Sequence, residues 1–237
     1  MPLSRLTYRN RLRERLGEST AYSWTDAELN TWIYEGAIEV AMLTECLPTQ
    51  ADISVLANQY VVFPPADTIR IHRVEWINET SGSPSFTTAQ VYPLEYRSIN
   101  NLDSIRGTGQ QSITGIPRLY ATWGYQGTST FRVILYPRPT NAGVLRVWYY
   151  QRPPEPVSDG SNILIPDGWE HLILDYAEYR AKMKDRDQDW QAAKAQFNEH
   201  IAQFKKMFSV LVDENEPMGV DAFYAPNEYN DLYGGWY

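Results

Sequence analysis

The chain has 237 residues, enough for one large domain or two small ones with buried cores, and its 43% apolar and 21% charged content is ordinary for a globular protein. A formal charge of −8 lacks the basic field expected of a nucleic-acid binder. One cysteine, Cys46, excludes an intrachain disulfide framework and a cysteine zinc cluster, and no stretch is apolar enough to span a membrane.

The N-terminus carries Arg5, Arg9, Arg11, Arg13, Glu14 and Arg15 without an apolar run, so it does not read as a secretory leader. A first helix is expected from about Ser4 to Leu16, with Leu6, Leu12 and Leu16 as its apolar positions and Gly17 as its stop. Its arginines could touch phosphate, although a solvated face or a rim of ion pairs is the commoner meaning. A second helix is signalled more strongly. Thr25 and Glu28 have capping-box spacing, and Trp24 and Leu29 have the spacing of a hydrophobic staple. Leu29, Trp32, Ile33, Gly36, Val40 and Leu43 then recur at helical intervals until Pro48. Cys46, at the apolar end of this run, reads as a small core residue.

From about Ile53 to Gln151 the pattern changes to β-branched and aromatic runs: Tyr60 to Phe63, Ile69 to Ile77, Val91 to Tyr96, Leu119 to Trp123, Phe131 to Tyr136 and Val144 to Tyr150. Turn clusters such as Ser81-Gly82-Ser83-Pro84 and Gly107-Thr108-Gly109 separate them. Arg132, Ile134 and Tyr136 alternate with Val133 and Leu135, as in a half-buried antiparallel strand. Short strands without an intervening long helix predict a small β-sandwich or barrel. Arg152-Pro153-Pro154-Glu155-Pro156 is a stiff connector out of it.

A third helix follows Ile165-Pro166-Asp167, with Trp169, Leu172, Ile173, Tyr176 and Tyr179 on its apolar side. Asp185 to Asp189 marks a turn. A fourth helix then carries the stripe Trp190, Ala193, Phe197, Ile201, Phe204, Phe208 and Leu211. An isolated helical hairpin buries little, so the two pairs are expected to pack together, with Trp32, Ile33, Val40, Leu172, Tyr176, Phe197, Ile201 and Phe204 in one core.

The predicted class is therefore α+β. It comprises a four-helix bundle formed by the N- and C-terminal helix pairs, an inserted antiparallel β-sandwich or barrel, and an extended C-terminal tail. The boundaries fall at residues 1–48, 49–152, 153–210 and 211–237.

Signatures of catalysis are missing. The sequence holds no phosphate-loop Gly-Lys-Ser/Thr, no His-Glu-x-x-His and no Gly-x-Ser-x-Gly elbow. His72, His171 and His200 are scattered, so no metal or cofactor site is expected. Asp185, Asp187 and Asp189 imitate the start of a calcium loop, but Trp190 stands where that loop needs glycine. Acids at the first turn of the fourth helix explain them better.

The last segment is unusual. It carries Asp213, Glu214, Glu216, Asp221, Glu228 and Asp231 with no Lys or Arg, together with Phe223, Tyr224, Tyr229, Leu232, Tyr233, Trp236 and Tyr237. Disordered tails are commonly charged but poor in aromatics, so this one reads as a recognition strand with anchors; packing back on its own chain is the alternative. The 17 Tyr and 8 Trp of the whole chain suit surfaces that become buried on assembly, and equally a tyrosine-rich sheet core.

This order of parts resembles the head-to-tail adaptor, or head-completion, proteins of tailed bacteriophages, of the podovirus type with an inserted β-domain. The carrying residues are Leu12-Arg13-Glu14-Arg15-Leu16-Gly17-Glu18, then Tyr22 to Leu29 with Trp32-Ile33. Later come Trp148-Tyr149-Tyr150-Gln151-Arg152-Pro153-Pro154, Ile165-Pro166-Asp167 and Tyr179-Arg180-Ala181-Lys182. The resemblance covers nearly the whole chain. It implies a non-enzymatic virion protein, made in the host cytoplasm and placed at the head–tail interface without a membrane. There it forms a dodecameric ring beneath the portal protein, joined to tail nozzle or tail-fibre proteins, with DNA passing non-specifically. It also implies that the tail grips the portal, through Phe223, Tyr224, Tyr229, Leu232, Tyr233, Trp236 and Tyr237. From another class, a carbohydrate-binding module using exposed aromatics of the β-block is the alternative.

Overall fold

The computed structural model describes residues 2–18, 23–78, 90–106, 113–124 and 132–213. Helix α1 (Arg5–Arg15) starts where the Ser4 side chain accepts from the Thr7 amide. It ends in a Schellman turn: Gly17 has φ +70°, its N–H donates to the Glu14 carbonyl, and the Glu18 N–H donates to Arg13. Helix α2 (Asp26–Thr44) opens on the expected capping box, with Thr25 and Glu28 hydrogen-bonded reciprocally.

The β-block is richer than the sequence suggested. Strand β1 (Pro48–Val55), absent from the expected set, pairs antiparallel with β10 (Gly143–Gln151), and Pro48 lies opposite Tyr150. With β3 (Thr68–Ile77) and β4 (Val91–Pro93) they form an antiparallel sheet of order β1-β10-β3-β4. A second sheet has the order β2-β8-β7-β5, from β2 (Val61–Val62), β5 (Glu95–Tyr96), β7 (Leu119–Trp123) and β8 (Arg132–Tyr136). Two pairings depart from the antiparallel expectation: β5 runs parallel to β7, and β6 (Thr114–Gly115) runs parallel to β9 (Arg138–Pro139).

Both four-stranded sheets feed one apolar cluster. Val74, Trp76, Leu145 and Val147 come from the first sheet, and Val62, Tyr120, Val133 and Leu135 from the second. Gly143 makes room in the first sheet: a Cβ there would lie 2.4 Å from the Trp76 ring. Strand β8 is not half-buried as its alternation predicted. Val133 and Leu135 face the shared cluster, while Ile134 and Tyr136 are covered on the other side with Leu102 of the short helix α3 (Ile99–Arg106).

Helix α4 (His171–Lys184) and helix α5 (Trp190–Asp213) complete the chain's described part. Helices α1, α2, α4 and α5 share a single buried cluster that contains all eight expected core residues, with Tyr8, Leu12, Leu29, Ala37 and Ala177. Gly36 lets α2 approach α4, since a Cβ there would sit 3.1 Å from Tyr176 and 3.2 Å from the Ile173 carbonyl oxygen. At the N-terminus, Ser4 bridges Asn162, and the amides of Arg5 and Leu6 donate to Ser161 and Asp159. The connector after β10 is thereby fastened to the start of α1.

Candidate functional site

The basic face of α1 is largely spent within the molecule. Arg5 and Arg9 both clamp Asp159, at 2.9 and 2.8 Å, and the two guanidinium groups hold that carboxyl below the usual range. Arg13 pairs with Asp26 at 2.6 Å and Glu18 at 2.7 Å, and Arg15 reaches Asp175 on α4 at 2.6 Å. Arg11 stays exposed, at the edge of a cleft of about 540 Å³ that Glu14, Arg15, Glu170, His171 and Leu174 also line. These arginines fasten helices and connector; they do not offer a continuous phosphate-binding face.

Beside that cleft lies a cluster that reading along the chain did not bring together. His171 and Asp175 are four residues apart, hence on one face of α4, and α5 sets His200 against them. Asp175 is buried at 4% exposure. Its Oδ2 meets His200 Nδ1 at 2.7 Å, while its Oδ1 accepts from Arg15. The rings of His171 and His200 meet edge to face, 5.1 Å apart. Burial pushes the His171 imidazole below its ordinary pKa, against the pull of the Asp175 carboxylate. One donor atom from each of the three residues falls within 4.8 Å of the others. The spacing signal was the His-x-x-x-Asp pair on a predicted helix; the partner 25 positions later becomes adjacent only once α5 folds back.

The other singled-out residues do not converge with these. His72 lies on β3, where its ring meets Tyr150. Cys46 is buried just beyond α2, and burial raises its thiol pKa. Asp185, Asp187 and Asp189 fall in the turn between α4 and α5, not in the first turn of α5 as expected. There Asp187 accepts from the Asp189 amide at 3.0 Å, and the Asp189 carbonyl receives the Ala193 N–H.

Exposed aromatics do stand on the β-block: Phe63, Tyr96, Trp123 and Trp148. Tyr96, Tyr120, Thr122 and Trp123 line a cleft of about 320 Å³ with Ile69 and Arg70, and Tyr96 packs edge-on against Tyr120 at 5.4 Å. Phe223, Tyr224, Tyr229, Leu232, Tyr233, Trp236 and Tyr237, the expected portal anchors, lie outside the described residues, as does Gly107-Thr108-Gly109.

Among the described residues no helix is long and apolar enough to cross a membrane. Comparison with protein-family models gives a match to the SU10 adaptor protein family over residues 5–226. No curated protein matches the chain.

Proposed function

The chain belongs to the SU10 adaptor protein family, and on that premise we propose that it is a structural virion protein that joins the portal of a tailed bacteriophage to its tail. The match over residues 5–226 carries this reading, because it takes in both helix pairs, the β-block and the first part of the tail. In this reading the chain is a podovirus-type adaptor. Residues 1–48 and 153–210 build a four-helix bundle, residues 49–152 form an inserted β-sandwich, and residues 211–237 extend from it. Copies assemble into a ring, dodecameric as in the adaptors it resembles, beneath the portal. The β-block faces nozzle or tail-fibre proteins, and DNA passes through the channel without sequence reading. The role is mechanical and needs no catalytic group or cofactor.

Portal grip is assigned to the tail, with Phe223, Tyr224, Tyr229, Leu232, Tyr233, Trp236 and Tyr237 as anchors. Six acids and no basic residue give the tail no internal ion pairs, while its aromatics need an apolar surface to cover them. Burying one such side chain contributes about 1.5–3 kcal/mol, and ordering the segment takes back about 2–5 kcal/mol, so a single tail binds modestly. A ring presents many tails at once, and multivalency makes the joint durable. Truncation after Asp213 should leave the helices and sheets folded and abolish co-sedimentation with portal particles. Equal recovery of truncated and full-length protein overturns the assignment.

The aromatic cleft at Tyr96, Tyr120 and Trp123 favours a second reading, a carbohydrate-binding module. A monomer that binds glycans and ignores portal particles would support it over the adaptor.

A further inference from the structure

We propose that His171, Asp175 and His200 form a binding site for one divalent transition-metal ion of the zinc type, joining α4 to α5. Two imidazole nitrogens and one carboxylate oxygen are a donor set for zinc, nickel or copper rather than for calcium or magnesium, which take oxygen shells. The three donor atoms already lie within 4.8 Å of one another. Tetrahedral zinc, with bonds of about 2.0–2.1 Å, sets its donors roughly 3.3 Å apart, so small rotamer changes close the gap. The ion takes the place of the proton now shared between His200 Nδ1 and Asp175 Oδ2; that proton goes to solvent, and Nε2 holds the one proton of the neutral imidazole ligand.

An outer layer orients the donors. Asp175 Oδ1 is held by Arg15 at 2.6 Å, which leaves Oδ2 for the metal, and His171 is hydrogen-bonded to the Gly168 backbone. Such partners of ligating histidines and carboxylates fix ring orientation and tautomer. Three protein ligands leave a further position toward the cleft lined by Glu14, Glu170 and His171, where water or an acidic side chain can complete the shell. Arg15 also sets a limit. Its positive charge beside the ligating carboxylate opposes a divalent cation, so the site is of moderate affinity.

The test uses the full-length chain, stripped with chelator and titrated with zinc and with cobalt(II) chloride. Calorimetry should give one ion per chain, and cobalt should develop visible absorption bands. His171→Ala and His200→Ala should each weaken binding by about 10–100-fold or more, the range that even outer-layer losses reach. If an alanine variant fails to fold, imidazole NMR of the unaltered chain decides: with three histidines in the sequence, zinc should shift His171 and His200 and leave His72 in place. The proposal is overturned if binding does not saturate at one ion per chain or survives both substitutions. It is equally overturned if zinc leaves the His171 and His200 resonances unmoved; the cluster would then be an Arg–Asp–His hydrogen-bond network alone.

Discussion

At the residue scale, Gly143 is held to hydrogen in place of a side chain by the Trp76 ring. A Cβ would meet that ring at 2.4 and 2.7 Å and the Ile77 carbonyl at 2.8 Å, and Trp76 is 1% exposed with nowhere to turn. Gly143→Ala should therefore destabilise the fold by about 1–3 kcal/mol, the usual cost of overpacking, read from denaturant midpoints. Glu28 gives a prediction in pH. Lys184, with the amide and hydroxyl of Thr25, holds its carboxyl down at about 2 from an ordinary 4.5. A depressed carboxyl stabilises the fold above its ordinary value and loses that contribution as pH falls from 4.5 toward 2. Glu28→Gln keeps the capping geometry and removes the charge, so it should flatten the acid limb of stability in that window and leave little difference at low pH. Such local devices were legible in the sequence, because Thr25, Glu28 and Gly17 act on backbone a few residues away. The meeting of Asp175 with His200 was not, since its components belong to two helices and a turn whose geometry the sequence pattern leaves open.

At the scale of elements, the apolar stripes of α2, α4 and α5 were readable because period 3.6 survives any packing partner. Phe204 of α5 is 1% exposed and meets the Trp169 ring edge-on at 4.6 Å. Phe204→Ala should cost about 3–5 kcal/mol, and a midpoint unchanged in urea would count against a shared helical core. The strands were harder. In β1 a period-two signal was there to be read, Ala51, Ile53 and Val55 alternating with Gln50, Asp52 and Ser54, but it rests on few large apolar residues because the strand is the edge of its sheet and its polar face meets solvent. Conversely, β8 looked half-buried because Arg132 opens it, whereas α3 supplies a second roof over Ile134 and Tyr136. Alternation reports side-chain polarity; it does not report what a distant segment comes back to cover. The parallel pairings of β5 with β7 and β6 with β9 likewise depend on connections that no single strand encodes.

At the scale of the whole molecule, the order of parts was legible and the mode of attachment was not. Chain leaves the helices through Pro48 and returns through Tyr150, and these two are paired across adjacent antiparallel strands. Partners in such a pair stand about 4.5–5.5 Å apart at their Cα atoms, a gap that a two-residue turn bridges. Among the described residues, the helical cluster takes only the partly buried Ile69 from the strands between them. Excision of residues 49–149 with an Asn-Gly splice should thus yield a smaller protein that keeps a helical circular-dichroism spectrum and a single cooperative melt; a molten, non-cooperative product would refute this. The doorway is narrow enough that a gene could exchange everything beyond it in one recombination event. Lineages that keep the same helices could then carry entirely different lobes there.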